Sequence, residues 1–189
     1  MIVTAATTNP GKLAELAALL APSLEIRSAP ADYAAPGENG RTYLANARRK
    51  AQALYQRTGA AALADDSGLE VDALGGAPGL RSARFGADAA SRTARLLASL
   101  AGRNRRARFR TALVLVLADG REIGAEGDCE GEITTEPRGG GGFGYDPVFL
   151  VPSLGRTLAE LTSDEKNRVS ARAAAARALL AALVGYEAP

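Results

Sequence analysis

Asp65 and Asp66 stand side by side after the apolar run AAALA, and Glu38 lies upstream in a Pro- and Gly-bearing loop. On an extended backbone successive side chains point to opposite faces, so one aspartate can face a metal while the other supports it. A hard cation such as Mg²⁺ takes one or two carboxylates and completes its shell with substrate phosphate oxygens, a role open to this pair with Glu38. The competing explanation is a solvated turn, because DDSG is good turn chemistry. A second stretch, TTNPGK (Thr7, Thr8, Asn9, Pro10, Gly11, Lys12), joins a strand to a helix start through small residues. Free backbone N–H groups and the positive dipole end make such a place an anion seat, and Lys12 adds a point charge. An ordinary capped helix with a surface lysine is the alternative here, and the spacing is not that of a Walker A loop.

The sequence contains no histidine and a single cysteine, Cys129. Catalytic schemes built on Ser-His-Asp, Cys-His or His-bound zinc are therefore excluded. Carboxylates, lysines and hydroxyls remain. Hydrolysis at phosphate needs charge neutralisation and positioning more than covalent catalysis, so a histidine-free chain can perform it. Cys129 reads as a bystander, since its thiol would need cationic neighbours to react. With one cysteine no intramolecular disulfide forms, which suits a reducing cytosol.

The elements that must carry these residues alternate between strand and helix. MIVTAAT reads as a strand, and Leu13, Leu16, Leu19 and Leu20 recur at helical spacing behind an Asn9 cap and Pro10. LEIRSA (24–29) reads as a strand. Over 42–57 the apolar positions predict a helix with Thr42, Asn46 and Lys50 as a separate polar stripe. The acids Asp65 and Asp66 are expected where a strand ends or bends, 75–86 as loop and 88–100 as helix. RFRTALVLVLADGREIGAEG has a hairpin pattern with its turn at Asp119-Gly120. VFLVP reads as a strand, and Thr162-x-x-Glu165 as a capping box that opens the last helical region. Lys166 and Arg172, six residues apart, reach one site only if the helix breaks near Ser170. The basic run RNRRARFR (103–110) reads as a loop and strand start rather than a nucleic-acid surface.

A chain of 189 residues, 47% hydrophobic and 23% charged with a net charge of +2, is of globular composition. An α/β fold with a mixed β-sheet and flanking helices follows from the alternation. No composition shift or repeat marks a boundary, so one domain over 1–189 is expected. Neither a signal peptide nor a membrane span is expected.

The run GGGGFGYDP (139–147) poses a separate question, because four glycines suggest a linker whereas the aromatics and acid that follow do not. With no second domain behind them, Gly139 to Gly142 are expected to let the backbone pass close to a ligand; the alternative for the first two is a mobile lead-in.

TTNPGK, GENGRTYLANARRKA, LADDSGLEVDALGGAPGLRSARF, ITTEPRGGGGFGYDPVF and AELTSDEKNRVSAR, in this order, resemble the inosine triphosphate pyrophosphatase family. The resemblance covers nearly the whole chain. It implies an elongated two-lobed α/β protein with a central cleft, usually a homodimer, cytoplasmic, with no nucleic-acid or membrane partner. It implies Mg²⁺-dependent hydrolysis of ITP, dITP or XTP to the monophosphate and pyrophosphate. Carried over by residue, Thr7 to Lys12 would hold phosphates and Lys50 would point at the triphosphate. Glu38 and Asp66 would bind the metal, with Asp66 deprotonating the attacking water, Asp65 beside it and Ser67 contacting substrate. Phe143, Gly144, Tyr145 and Asp146 would line the base pocket, and Lys166 and Arg172 would close over the base. Two positions depart from the family pattern: Ala171 stands where a histidine is usual, and Ala45 where an acid often stands. The first removes a donor that would help read the 6-oxo group. The alternatives are a pyrophosphatase acting on pyrimidine or modified triphosphates, and a nucleotide-binding module that does not hydrolyse.

Overall fold

Asn9 opens the first helix as the sequence requires: its side-chain oxygen accepts the N–H groups of Gly11 and Lys12, with Pro10 in the first position. In the computed structural model, which describes residues 1–187, the order begins β1 (Ile2–Ala5), α1 (Pro10–Leu20), β2 (Glu25–Ser28), α2 (Tyr43–Thr58), β3 (Ala62–Val71) and α3 (Ala89–Ser99). It continues with β4 (Arg106–Val116), β5 (Glu122–Ile133), β6 (Phe149–Val151), β7 (Arg156–Thr157), α4 (Ser163–Val169) and α5 (Ala171–Glu187). The strands form one mixed sheet in the order β2-β1-β3-β4-β5-β6-β7. β1 pairs in parallel with β2 and β3, whereas β6 is antiparallel to both β5 and β7. The expected α/β class with a mixed sheet and flanking helices is what the chain adopts.

Two compact units divide the chain. The first comprises Met1–Asp66, Thr111–Gly127 and the chain from Arg172; the second comprises Ser67–Arg110 and Asp128–Ala171. The first is built on a core of Val3, Leu16, Leu20, Leu63, Leu113, Leu115 and Leu179. The second is built on Leu69, Val71, Leu96, Leu100, Ile133, Val148 and Phe149, with the Phe109 and Phe149 rings 4.7 Å apart. Burying each such side chain contributes about 1.5–3 kcal/mol.

α2 starts at Thr42, whose hydroxyl accepts the Ala45 N–H, and stops at Gly59 in the left-handed region at φ 65. Glycine there relieves the steric cost that any Cβ would carry. The capping box between Thr162 and Glu165 opens α4. The break at Ser170 also occurs, since Ser170 is extended between the end of α4 and the start of α5.

Three local expectations change. The acids do not sit at a strand end, because β3 runs through Asp65-Asp66-Ser67-Gly68 without interruption to Val71. Turn propensity is a local preference, and pairing with neighbouring strands overrides it in a segment that is almost wholly buried. The stretch expected as plain loop after β3 contains a 3-10 helix over Gly79–Arg84, and Pro78 bridges Glu70.

The basic run is chiefly the start of β4, and Arg105, Arg108 and Arg110 are engaged within the second unit. Arg105 donates to the carbonyls of Leu100, Ile133 and Thr134; Arg108 pairs with Glu70 and Arg110 with Asp128. Cys129 is buried in β5, where burial pushes its thiol up to about 11 with the help of Glu130, so it stays protonated and inert.

The third change concerns the glycine run. A Cβ on Gly139, at φ 81, would lie 2.5 Å from the backbone of Ala159; one on Gly142, at φ 69, would lie 2.1 Å from Asp146 Oδ2. Gly141 donates its N–H to the Ala159 carbonyl. Although the four glycines are exposed, at Gly139 and Gly142 the chain itself occupies the space that a side chain would need, so Gly139 is held against Ala159 rather than serving as a loose lead-in. Gly139→Ala should therefore destabilise by about 1–3 kcal/mol from backbone strain alone, before the clash is counted. Gly140→Ala, with nothing within 4 Å of its Cβ, should be nearly neutral. Paired urea melts of the two variants check this contrast.

Candidate active site

Each unit carries a polar cluster. In the first unit, β3 delivers Asp65 and Asp66 into a buried setting, 2% and 5% exposed, where charges survive only if partnered. Adjacent strand residues face opposite ways, and the two aspartates accordingly meet different partners. Lys12 from the first turn of α1 places its ammonium 2.9 Å from Asp65 Oδ2. Arg172 from the start of α5 donates Nη2 to the same oxygen at 3.0 Å and pairs through Nη1 with Glu15. Burial opposes ionisation of Asp65, but the charges of Lys12 and Arg172 outweigh it and hold the carboxyl well below the usual range. Asp65 thus stays ionised and ties β3 to two helices, α1 and α5.

Asp66 is different. Its Oδ2 accepts from Asn46 Nδ2 at 2.8 Å, and its Oδ1 lies 3.6 Å from Lys50 Nζ. Burial pushes this carboxyl above its ordinary value, against the pull of Lys50 and Asn46 and with the help of the Glu38 charge. A carboxylate raised in this way is the better proton acceptor of the two. Lys50, itself buried, also donates to Glu38 Oε1 at 2.9 Å. Burial disfavours its charge, but Asp65, Asp66 and Glu38 more than compensate and keep it protonated.

The anion seat at residues 7–12 is only partly open. Asn9 Oδ1 takes the N–H groups of Gly11 and Lys12, and Thr7 Oγ1 accepts the Asn9 N–H. Thr8, Asn9 and Pro10 are exposed, so the surface of the turn remains accessible while its backbone donors are partly engaged.

Among the described residues no group of three or more acids, cysteines or histidines could hold a metal. Glu38 and Asp66 nevertheless converge on the single ammonium of Lys50, which shows that one cation can serve both carboxylates. A two-carboxylate donor set suits a hard cation that also binds phosphate oxygens.

In the second unit, Asp146 organises the segment after the glycines. Its Oδ2 accepts the Phe143 N–H at 2.7 Å and the Lys166 ammonium at 2.6 Å. Lys166 Nζ also lies 4.6 Å from the centre of the Phe143 ring, a cation–π distance. Gly144 turns the chain at φ 66. Tyr145 donates its hydroxyl to the Ser82 carbonyl, and burial pushes its phenol up to about 12. Ser67 lies partly exposed in β3.

Arg172, which the resemblance puts over the base, here holds Asp65 and Glu15. Ala171 is 3% exposed and packs into the apolar core of the second unit. Sequence reasoning missed Glu15, although it sits three residues after Lys12 on α1, where helical neighbours share a face. It placed Asn46 on the polar stripe but gave it no role.

A model of the Ham1 family matches residues 3–182. The chain is 52% identical over 178 residues to the dITP/XTP pyrophosphatase of Gloeobacter violaceus, covering 93% of this chain and 90% of that protein. It is 49% identical over 189 residues to the dITP/XTP pyrophosphatase of Thermus thermophilus, covering 96% and 91%. Among solved structures, the Staphylococcus aureus Ham1 protein superposes with a TM-score of 0.86 at 32% identity, over 99% of this chain and 100% of that one. A HAM1 protein from Coxiella burnetii gives 0.85 at 37% identity, over 98% and 99%.

Proposed function

This chain belongs to the Ham1 family, and from that premise we propose that it hydrolyses the non-canonical purine nucleoside triphosphates dITP, XTP and ITP to the monophosphate and pyrophosphate. The observation that carries the reading is the split between two adjacent carboxylates in β3. Asp65 is locked as an anion by Lys12 and Arg172, while Asp66 is raised by burial and set beside Glu38 and Lys50. The curated relatives bearing the pyrophosphatase name support the substrate class.

Glu38 and Asp66 would hold Mg²⁺, which when bound would supply charge neutralisation and Lewis-acid polarisation at the phosphate. Lys12, Lys50 and the turn from Thr7 to Gly11 bind phosphate oxygens, with Asn9 contributing its side-chain amide because its oxygen caps α1. Asp66 orients a water and takes its proton as the water oxygen bonds to the α-phosphorus. The bond from that phosphorus to the α–β bridging oxygen breaks, and pyrophosphate departs. Ser67 assists at the substrate. Phe143, Gly144, Tyr145 and Asp146 receive the base, with the Phe143 ring against the purine face and Lys166 beside it. Arg172 acts by fixing Asp65, and Ala171, buried in the apolar core, offers the base no polar group. The protein acts in the cytoplasm as a homodimer, on free nucleotides rather than nucleic acid.

The direct test is pyrophosphate release from dITP, XTP, ITP and GTP by purified protein with Mg²⁺. The expected result is turnover of dITP, XTP and ITP, with GTP, which shares their 6-oxo group and differs at the 2-position, as the comparison that reads selectivity at that position. No turnover of any of the four would sink the proposal, and a preference for UTP or dTTP would redirect it to pyrimidines. Phe143→Ala should raise KM for dITP about tenfold or more, from lost stacking of about 1–3 kcal/mol, with little change in kcat.

A further inference from the structure

Asn46 is 1% exposed, and nothing in the chemistry above uses it. Both ends of its amide are fixed by groups of one polarity. The Gly40 N–H can only donate and lies 2.8 Å from Oδ1; the Asp66 carboxylate accepts Nδ2 at 2.8 Å. One side chain therefore ties the backbone of the loop that carries Glu38 to the carboxyl of Asp66.

The construction around it is specific. Residues 34–40 have no helix or strand of their own, so their placement depends on such tethers. A Cβ at Gly40 would lie 2.6 Å from Asn46 Oδ1, so only glycine lets the backbone come this close. Asn46 and Lys50 are one turn apart on α2 and divide Asp66 between them, Oδ2 to the amide and Oδ1 toward the ammonium. Asn46 also leaves Glu38 its own contact with Lys50.

We infer that Asn46 is a positioning residue that sets the separation and orientation of the Glu38 and Asp66 carboxylates, and through them the cation site. The inference rests on the pyrophosphatase reading. Asn46 acts through the Asp66 carboxylate and the Glu38 loop rather than as a proton acceptor or metal ligand itself. It holds one acid by its side chain and the other by the backbone two residues away.

The experiment compares wild type, Asn46→Ala, Gly40→Ala and the double variant in two assays. One is kcat and KM for dITP; the other is the Mg²⁺ concentration giving half of the metal-induced rise in melting temperature, with no nucleotide present. Partners that orient ligating groups typically cost about 10–100-fold in metal affinity or activity when removed. The expected result for Asn46→Ala is a kcat lower by that factor, KM for dITP within about twofold, and a half-saturating Mg²⁺ concentration raised by a similar factor. Gly40→Ala should move both readouts the same way, and the double variant should be no worse than Asn46→Ala, since both break one link. Asn46→Ala with kcat and Mg²⁺ requirement within about twofold of wild type would overturn the inference, as would single effects that multiply in the double variant. If Asn46→Ala fails to fold, Gly40→Ala decides alone: a raised Mg²⁺ requirement supports the role, and an unchanged one overturns it. If wild type turns over no nucleotide while the Mg²⁺ titration still responds to Asn46, the functional reading fails and the spacing role stands.

Discussion

Asp66→Asn is expected to lower kcat for dITP by about 10³-fold or more while leaving the melting temperature at or above that of wild type. The catalytic loss follows from removing the proton acceptor, for which general-base contributions of about 10²–10⁴-fold are usual, together with one of the two metal carboxylates. The preserved stability follows from the environment. Burial already pushes the Asp66 carboxyl above its ordinary value, so its charge is tolerated rather than favoured. A neutral amide of the same shape removes that cost, and Lys50 keeps Glu38 as partner. A drop in melting temperature as large as that of a core truncation, or a kcat within tenfold of wild type, would contradict this division between stability and chemistry.

The second large effect is on folding. Arg172→Met should destabilise the protein by about 3 kcal/mol, the lower part of the range for breaking a buried ion pair from one side. The guanidinium is 6% exposed and bridges Asp65 and Glu15; its removal leaves Glu15 without this cation, while Asp65 keeps Lys12. In a domain of this size that corresponds to a fall in melting temperature of about 6–12 °C. The pH dependence has a definite sign. Asp65 is depressed in the folded state, so the stabilisation it gains is complete above its unfolded value of about 3.9 and is lost as pH falls through the lower folded value. The deficit of Arg172→Met should therefore be widest near neutral pH and shrink below about pH 4. Pairing Arg172→Met with Asp65→Asn should recover part of the loss at neutral pH, because it removes one of the two carboxylates Arg172 served. Calorimetric melts of the three variants between acid and neutral pH measure each of these statements.

Much of the local architecture is legible in the residues. Asn9-Pro10, Thr42 and the Thr162–Glu165 pair start helices where they stand, because an N-cap satisfies backbone donors within its own first turn. Ser170 interrupts the last helical stretch as its neighbours Lys166 and Arg172 suggested. The Thr42, Asn46, Lys50 stripe also emerged intact, since a helical period is a property of the chain alone. Less legible were the segments whose state is settled by distant partners. DDSG has turn chemistry and is a strand. GGGG looks like a linker, yet Gly139 and Gly142 lie against Ala159 and Asp146.

By itself, then, the sequence determined which groups are available for chemistry: carboxylates and lysines without histidine, on helices and strands whose ends are written locally. It also determined the family pattern. Only the tertiary structure decided the electrostatic difference between the two neighbouring aspartates, whose roles the resemblance had already told apart. Asp65 owes its charge to Lys12 on α1 and to an arginine 107 residues away, and Asp66 its raised carboxyl to burial, against the pull of Lys50 and Asn46. Desolvation and Coulomb attraction depend on distance in space, and no local pattern in the chain specifies that distance.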